Sequence, residues 1–350
     1  MNVKVGLKLL CLLVVLGVVS VQGADDQPKS SAEGIIADEK KSKKKQEENN
    51  EKSGKKEEFK ENEEMKWYRK LHFVSPDTAT YKLGRAYHRA GYYDRAIELY
   101  LKAVKLKNEY SPQAILGLGK VYELKKDNEK AMFWYKKGIV QNNPRCMHKM
   151  AIMYLKQAKI DEAIALLGQA SKLGNNSAEC LLGLVYRDDK KDLKKAREIF
   201  QKLANKDDLG GIYNLAYLLD KYLNKKDEAI TWYLKAADKG DNLSYFHIAQ
   251  IYFYDKKNND KALEMYQKAA DIKTVHAYGI LGYLYYQKED EKNAIKYFTF
   301  AANNNDAQAM YYLGVIYLSK DKKMQAKGWF TKAASAGNKK AQQKLKEMTK

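Results

Sequence analysis

The sequence predicts an all-α fold, an α-solenoid of stacked helix-turn-helix repeats, and three observations carry the prediction. A Leu-Gly-x-x-Tyr frame recurs at Leu83-Gly84…Tyr87, Leu118-Gly119…Tyr122, Leu182-Gly183…Tyr186, Leu281-Gly282…Tyr285 and Leu313-Gly314…Tyr317. With Ala in the Gly slot it returns at Ala151…Tyr154, Ala216…Leu219 and Ala249…Tyr252, so the eight slots lie 35, 32, 32, 33, 33, 33 and 32 residues apart. A fixed period of this length marks units that cannot bury their apolar faces alone and stack to make one continuous core. Each copy also holds two helical stripes, such as Leu83, Gly84 and Tyr87, then Ala96, Tyr100 and Ala103 after the Gly91-Tyr92 turn.

The chain begins with Lys4 and Lys8, the apolar run Leu9 to Val19, and Val21-Gln22-Gly23. This is the pattern of a secretory signal peptide over residues 1–23, cleaved after Gly23, and the run is about half of the ~20 residues a spanning helix needs. No membrane span is expected after cleavage. Residues 24–58, with KKSKKKQEENNEKSGKKEE at their centre, mix both charges and hold almost no large apolar groups. Such a segment cannot recover its ordering entropy by burial and reads as a disordered charged linker. Residues 59–76 (FKENEEMKWYRKLHFVSP) place Trp67-Tyr68 as Trp134-Tyr135 lie in the second copy. They read as a degenerate half-repeat that covers the leading edge, its helix stopped by Pro76.

Eight repeats then fill residues 77–338. Small residues at the Gly/Ala slot face large ones at Tyr100, Tyr135, Phe200, Tyr233, Tyr266, Phe298 and Phe330, an interlock that makes most of the 27 tyrosines core residues first. Polar turns such as Lys125-Lys126-Asp127, Asn224-Lys225-Lys226-Asp227 and Lys320-Asp321-Lys322-Lys323 join the helices of a pair. Gly174, Gly240 and Gly337 close second helices, with Asn175, Asp241 and Asn338 placed to cap the next helix. Residues 339–350, with Ala341, Leu345 and Met348 in stripe, read as a closing cap helix.

Charge and cysteine usage narrow the function classes. Residues 67–350 carry the whole excess of +20, a field that favours acidic partners, yet 57 of the 64 basic residues are Lys and fit a solvated surface as well. Beyond the leader only Cys146 and Cys180 remain. Two thiols make no disulfide framework; a single bridge and buried reduced thiols are both open, the second favoured. His72, His88, His148, His247 and His276 stand singly, with no HExxH pair and no Gly-x-Ser-x-Gly elbow, and Gly117-Leu118-Gly119-Lys120 is the repeat frame rather than a phosphate loop. No catalytic, metal or cofactor residues are assigned.

The frame resembles the tetratricopeptide repeat family, and its last copies resemble the Sel-one-like branch. The residues that carry the resemblance are Leu-Gly-x-x-Tyr and an Ala about twelve residues after the slot, at Ala96, Ala131, Ala163, Ala262, Ala294 and Ala326. An aromatic or Leu follows four later, then Ala, with Ala236-Ala237…Gly240 and Ala333-Ala334…Gly337 as the Sel-one-like touch. The fourth and fifth copies depart by setting Ala196 and Ala229 one residue late. The resemblance implies a right-handed superhelix, a monomeric non-catalytic adaptor, and a protein or peptide partner in a concave groove lined by first helices. The slots it assigns to the groove lie three before the Gly/Ala position and one, four and five after it. They hold Tyr81, Arg85, His88, Arg89, Lys120, Glu123, His148 and Lys156 in the first three copies. In the last four they hold Tyr213, Tyr217, Phe246, Gln250, Phe253, Tyr254, Tyr283, Tyr286 and Tyr311, and in the final copy Val315 and Leu318 as well. Such a groove runs from basic to aromatic and suits an extended ligand with an acidic end and an aromatic or proline-rich end. The carboxylate clamp of some chaperone-binding members is not reproduced, because Tyr81 and Arg85 occupy its slots. Two other classes stay open: an anionic cell-surface polymer or nucleic acid held by the lysine-rich turns, and a hydrolase on cell-wall-related ligands, whose relatives carry paired cysteines that are absent here. An exported protein, periplasmic or secreted and of bacterial source, is the expected setting.

Overall fold

A computed structural model describes residues 62–71, 76–270 and 275–348. The expected signal peptide and linker lie outside the described residues. Among the described residues are eighteen α-helices and no strand. The chain divides into two compact units between Ile199 and Phe200.

The N-terminal unit holds α1 (Glu63–Leu71), α2 (Pro76–Arg89), α3 (Tyr93–Lys105), α4 (Ser111–Leu124), α5 (Asn128–Val140), α6 (Pro144–Lys156), α7 (Ile160–Lys172), α8 (Asn176–Asp188) and the first turns of α9 (Leu193–Asn205). From α1 to α8 each helix packs on the next, and first helices also meet first helices, α2 on α4 and α6 on α8. That double contact builds two layers from one repeated hairpin. α1 covers the leading edge through Met65, which is buried, while Trp67 is 56% exposed. The match of Trp67 to Trp134, itself only 9% exposed, therefore does not extend to packing. Pro76 is the first residue of α2, as suits a residue whose missing N–H costs nothing in a first turn.

The C-terminal unit holds the rest of α9, α10 (Leu209–Lys221), α11 (Lys226–Asp238), α12 (Leu243–Gln250) with its π-helical extension Ile251–Asp255, α13 (Asn259–Ala270), α14 (Val275–Gln287), α15 (Glu291–Asn303), α16 (Ala307–Ser319), α17 (Lys323–Ser335) and α18 (Lys339–Met348). α18 buries Ala341 and lays Leu345 and Met348 on the Phe330 cluster, closing the core at this end.

The interlock is tight. A methyl group added to Gly119 would meet the Tyr135 ring at 2.3 Å, one at Gly282 the Phe298 ring at 2.5 Å, and one at Gly314 the Phe330 ring at 2.6 Å. Where the second helix carries Leu167 instead of an aromatic, the slot holds Ala151.

Three further devices repeat. Asn143, Asn175 and Asn338 each cap a first helix through Oδ1 and donate through Nδ2 to a carbonyl of the preceding repeat, at Pro112, Pro144 and Ala307. Turn lysines pair with the acid in the first turn of the preceding second helix: Lys125 with Asp94, Lys190 with Asp161, Lys256 with Asp227, Lys288 with Asp260 and Lys320 with Glu291. Each such pair sets a cation at a helix C-terminus and an anion at a helix N-terminus, where both dipoles favour them. Every described turn between helices from α2 onward also has one left-handed residue. Gly91, Gly174, Gly240 and Gly337 fill four of these positions, and residues such as Lys126 and Ala158 fill the others.

The extra residue expected in copies four and five is present in the sixth as well, since Ala262 stands thirteen residues after Ala249. All three copies absorb it alike. Lys190, Leu223 and Lys256 donate five residues back, to Val185, Leu218 and Ile251, and Asp192, Lys225 and Asn258 donate six back, to Tyr186, Leu219 and Tyr252. In the sixth copy the widening spans a whole π-helical turn.

Candidate peptide-binding groove

The assigned slots sit on the first helices; most of their side chains stay half-buried or exposed, whereas Tyr213 is buried. In the N-terminal unit α2 supplies Tyr81, Arg85, His88 and Arg89. Tyr81 is half-buried and stacks on Tyr110 at 5.5 Å. Arg85 and Arg89 are exposed, and Arg89 pairs with Glu64 of α1. The Nδ1 of His88 lies 3.3 Å from the Tyr100 hydroxyl, and burial, then the Lys120 ammonium, holds this ring below its ordinary pKa.

α4 supplies Lys120 and Glu123. Tyr135 donates to Glu123 Oε2 at 2.9 Å, Lys149 Nζ lies 3.4 Å from the same oxygen, and Lys156 Nζ lies 3.7 Å from Oε1. Burial works against ionisation of Glu123, but Lys149, the Tyr135 hydroxyl and Lys156 outweigh it and leave the carboxyl below its usual range. Lys120 is pulled the other way: partial desolvation, then Lys149 and Arg145, make its ammonium less favourable than in water. His148 on α6 is half-buried, and burial, then Lys149, lowers its pKa to about 4, so it adds no charge at neutral pH. Cys146 lies under this cluster, its pKa raised to about 12 by burial, and is therefore inert.

The C-terminal unit is built of rings. Tyr213 is 7% exposed; its hydroxyl lies 2.9 Å from His247 Nε2, and its ring stacks near Tyr217 at 6.3 Å. Burial, then Lys221, lowers His247 to about 4 against the opposing pull of Asp220 and Gln250. The half-buried Phe246 sets its edge against Tyr266 at 5.9 Å. Phe253 and the 49% exposed Tyr254 ride on the π-helical turn, and Phe253 meets Tyr283 at 6.1 Å. Tyr283, Tyr286 and Tyr311 each lie 5.6 Å from Tyr312, which stacks on Phe298.

Residues outside the assigned slots complete both surfaces. Lys149, His247 and Tyr312 all stand two residues before the Gly/Ala position, and each reaches a groove residue of the preceding repeat, Glu123, Tyr213 or Tyr283. The slot four after that position, in copies four and five, holds buried charges instead. Arg187 forks onto Asp188 at 2.8 and 2.9 Å, and Asp220 is held by Lys226 at 2.8 Å and Lys221 at 2.9 Å. A depression beside Trp329, where α15, α16 and α17 meet, is lined by Asn303, Asn305, Met310 and Lys332, with Lys332 already over the Trp329 ring at 4.5 Å.

The tetratricopeptide repeat signature matches residues 78–110, 112–139, 244–274 and 275–301, and the Sel1 repeat signature matches 144–175, 176–208, 210–241 and 307–338. The chain is built of tetratricopeptide and Sel1 repeats. The two kinds come in blocks, so the Sel1 character is not confined to the last copies of the array. Among solved structures, the tetratricopeptide/Sel1 array is similar to a protective antigen of uropathogenic Escherichia coli that displays an SLR fold. The TM-score is 0.62 and the identity 21%, over 81% of this chain and 67% of that one. It is also similar to a Sel1 repeat protein from Oxalobacter formigenes, at TM-score 0.45 and 24% identity, over 72% and 98%. The first likeness agrees with the helical stacking described above and speaks to fold alone. Among the described residues no helix of the array is long and apolar enough to cross a membrane.

Proposed function

We propose that the tetratricopeptide/Sel1 array is an exported, non-catalytic adaptor that binds an extended segment of a protein partner along its first helices. One observation carries the reading. Residues common to all copies are consumed by stacking, whereas the cations of α2, α4 and α6 and the rings of α12, its π-helical turn, α14 and α16 vary from copy to copy and reach solvent. Arrays of this kind serve as protein-binding scaffolds, and an extended peptide is the partner that successive repeats can read one after another. The turn-lysine reading has less support, because five turn lysines already have a carboxylate of the neighbouring repeat as partner.

The test is photo-crosslinking from benzoylphenylalanine placed at Arg85, Tyr283 or Val140, the last 84% exposed on a second helix. In cells that export the chain, a partner is expected to be captured from the first two positions and not from Val140, on a protein whose N-terminus is Ala24. Capture from Val140 alone would move the site off the groove, and a retained leader would remove export.

A further inference from the structure

The cations of the first three repeats are distributed in a way that the adaptor reading does not require. Along the first-helix layer lie Arg85, Arg89, Lys120, Arg145, Lys149 and Lys156, and the carboxylates that pair with them are Glu64 on Arg89 and Glu123 on Lys149 and Lys156. Arg85, Lys120 and Arg145 make no ion pair with any described residue. The turn lysines Lys125 and Lys190 of the same unit each have a carboxylate of the neighbouring repeat as partner, which these three groove-side cations lack. Burial, then the nearby Lys149 and Arg145, disfavours the charge on Lys120, against the attraction of Glu123. An anion seated among these cations would relieve their repulsion.

Resting on the groove reading, we infer that this basic floor holds an internal acidic stretch of an extended peptide, with its carboxylates on Arg85, Lys120 and the Arg145/Lys149 pair. The cations are strung over three successive repeats instead of converging on a point, which suits side-chain carboxylates along a strand rather than one chain-terminal carboxylate. Glu123 stands among them. A polyanion of uniform charge would be repelled there, whereas a peptide can set a backbone N–H over Glu123 between two acidic side chains. Tyr81 and Tyr110, stacked beside the α2 arginines, offer ring faces for the intervening apolar residues.

The probe is a fluorescein-labelled, C-terminally amidated peptide of about twelve residues in which Glu alternates with Ala and Leu, set against its Gln counterpart and against heparin, by anisotropy on the full chain. Lys120→Gln with Lys149→Gln is expected to weaken the Glu peptide by about tenfold or more, and Lys256→Gln with Lys288→Gln in the turns to leave it within about twofold. Lys149 also supports Glu123, so Arg85→Gln, an exposed change with no partner to lose, gives the same reading if the double variant misfolds. Equal loss from groove and turn variants, tighter binding of heparin than of peptide, or equal binding of the Gln peptide would each overturn the acidic-segment inference. If the Glu peptide does not bind while Tyr283 still crosslinks a partner, the inference fails and the adaptor reading stands; loss of both removes both.

Discussion

The two units spend the same scaffold on different surfaces. In the N-terminal unit the slots around Gly84, Gly119 and Ala151 present arginine and lysine over a floor whose tyrosine hydroxyls are paired, Tyr100 beside His88 and Tyr135 on Glu123. In the C-terminal unit the equivalent slots around Ala216, Ala249, Gly282 and Gly314 present rings, and beneath them the hydroxyls of Tyr233 and Tyr266 are buried with no hydrogen-bond partner among the described residues. The contrast separates two tasks within one repeat. The small-against-large interlock belongs to folding and is kept throughout, while the groove slots and the second-helix hydroxyl beneath them vary with what each surface presents.

If the interlock is common to both units, substitutions in it should cost about the same in either. Gly119→Ala and Gly282→Ala each drive a methyl group into a fully buried ring, and overpacking of this kind costs about 1–3 kcal/mol against a gain of up to about 1 kcal/mol in helix propensity. A net loss of about 2 kcal/mol is expected for both by urea unfolding. Gly328→Ala is the internal control: it lies inside α17 with nothing within 4 Å of the added methyl and should stabilise by about 1 kcal/mol. A loss confined to one unit would show that the interlock is not shared.

Acid should weaken both units through histidines that the repeat frame treats differently. His148 falls in an assigned groove slot and His247 does not, yet both have folded pKa values near 4 against an ordinary 6.5. The folded state disfavours the protonated ring, so the unfolded chain takes up its proton first as pH falls. Stability from each neutral ring is complete above about pH 6.5 and is lost as pH drops from 6.5 toward 4, by about 2 kcal/mol per ring. Comparing urea midpoints at neutral pH and at about pH 4.5, His148→Gln and His247→Phe should each flatten the acid loss relative to the parent chain. An unchanged pH slope in either variant would show that the ring titrates alike in the folded and unfolded chain.

Much of the scaffold was legible because it follows from one residue frame. Gly84, Gly119, Gly282 and Gly314 and their facing rings, the cap asparagines Asn175 and Asn338, and the closing helix at Ala341 all stand where the period puts them. The surface was legible in part. A slot rule written within one repeat finds Arg85, Lys120 and Tyr283 but not Lys149, His247 or Tyr312, whose contacts lie on the preceding repeat and exist only once copies are stacked. The sixth copy shows a second limit. Ala262 reads as in register because one residue hardly alters the stripe, yet that residue widens the helix end and places Phe253 and Tyr254 on a π-helical turn. Non-glycine residues in the left-handed region, such as Lys126 and Ala158, carry no sequence mark, since stacking imposes a conformation that their own preferences resist by about 1–2 kcal/mol.

The smallest expected effect is the sharpest comparison, because one oxygen atom is removed from the same slot in each unit. Tyr135→Phe takes away the donor that Glu123 accepts at 2.9 Å, leaving a partly buried carboxylate with Lys149 and Lys156 alone. A hydrogen bond to a charged group contributes about 1.5–3 kcal/mol, and since two cations remain to hold the oxygens, a loss below that range, about 1 kcal/mol, is expected. Tyr266→Phe removes a hydroxyl that is buried without a partner among the described residues, and its desolvation cost disappears with it, so the change should be neutral or stabilising by up to about 1 kcal/mol. Opposite signs in paired urea titrations would confirm that the hydroxyl beneath the groove is used in one unit and idle in the other. Equal losses would mean that Tyr266 has a hydrogen-bonding role in solution, and the C-terminal floor would then have to be reckoned polar, as the N-terminal one is.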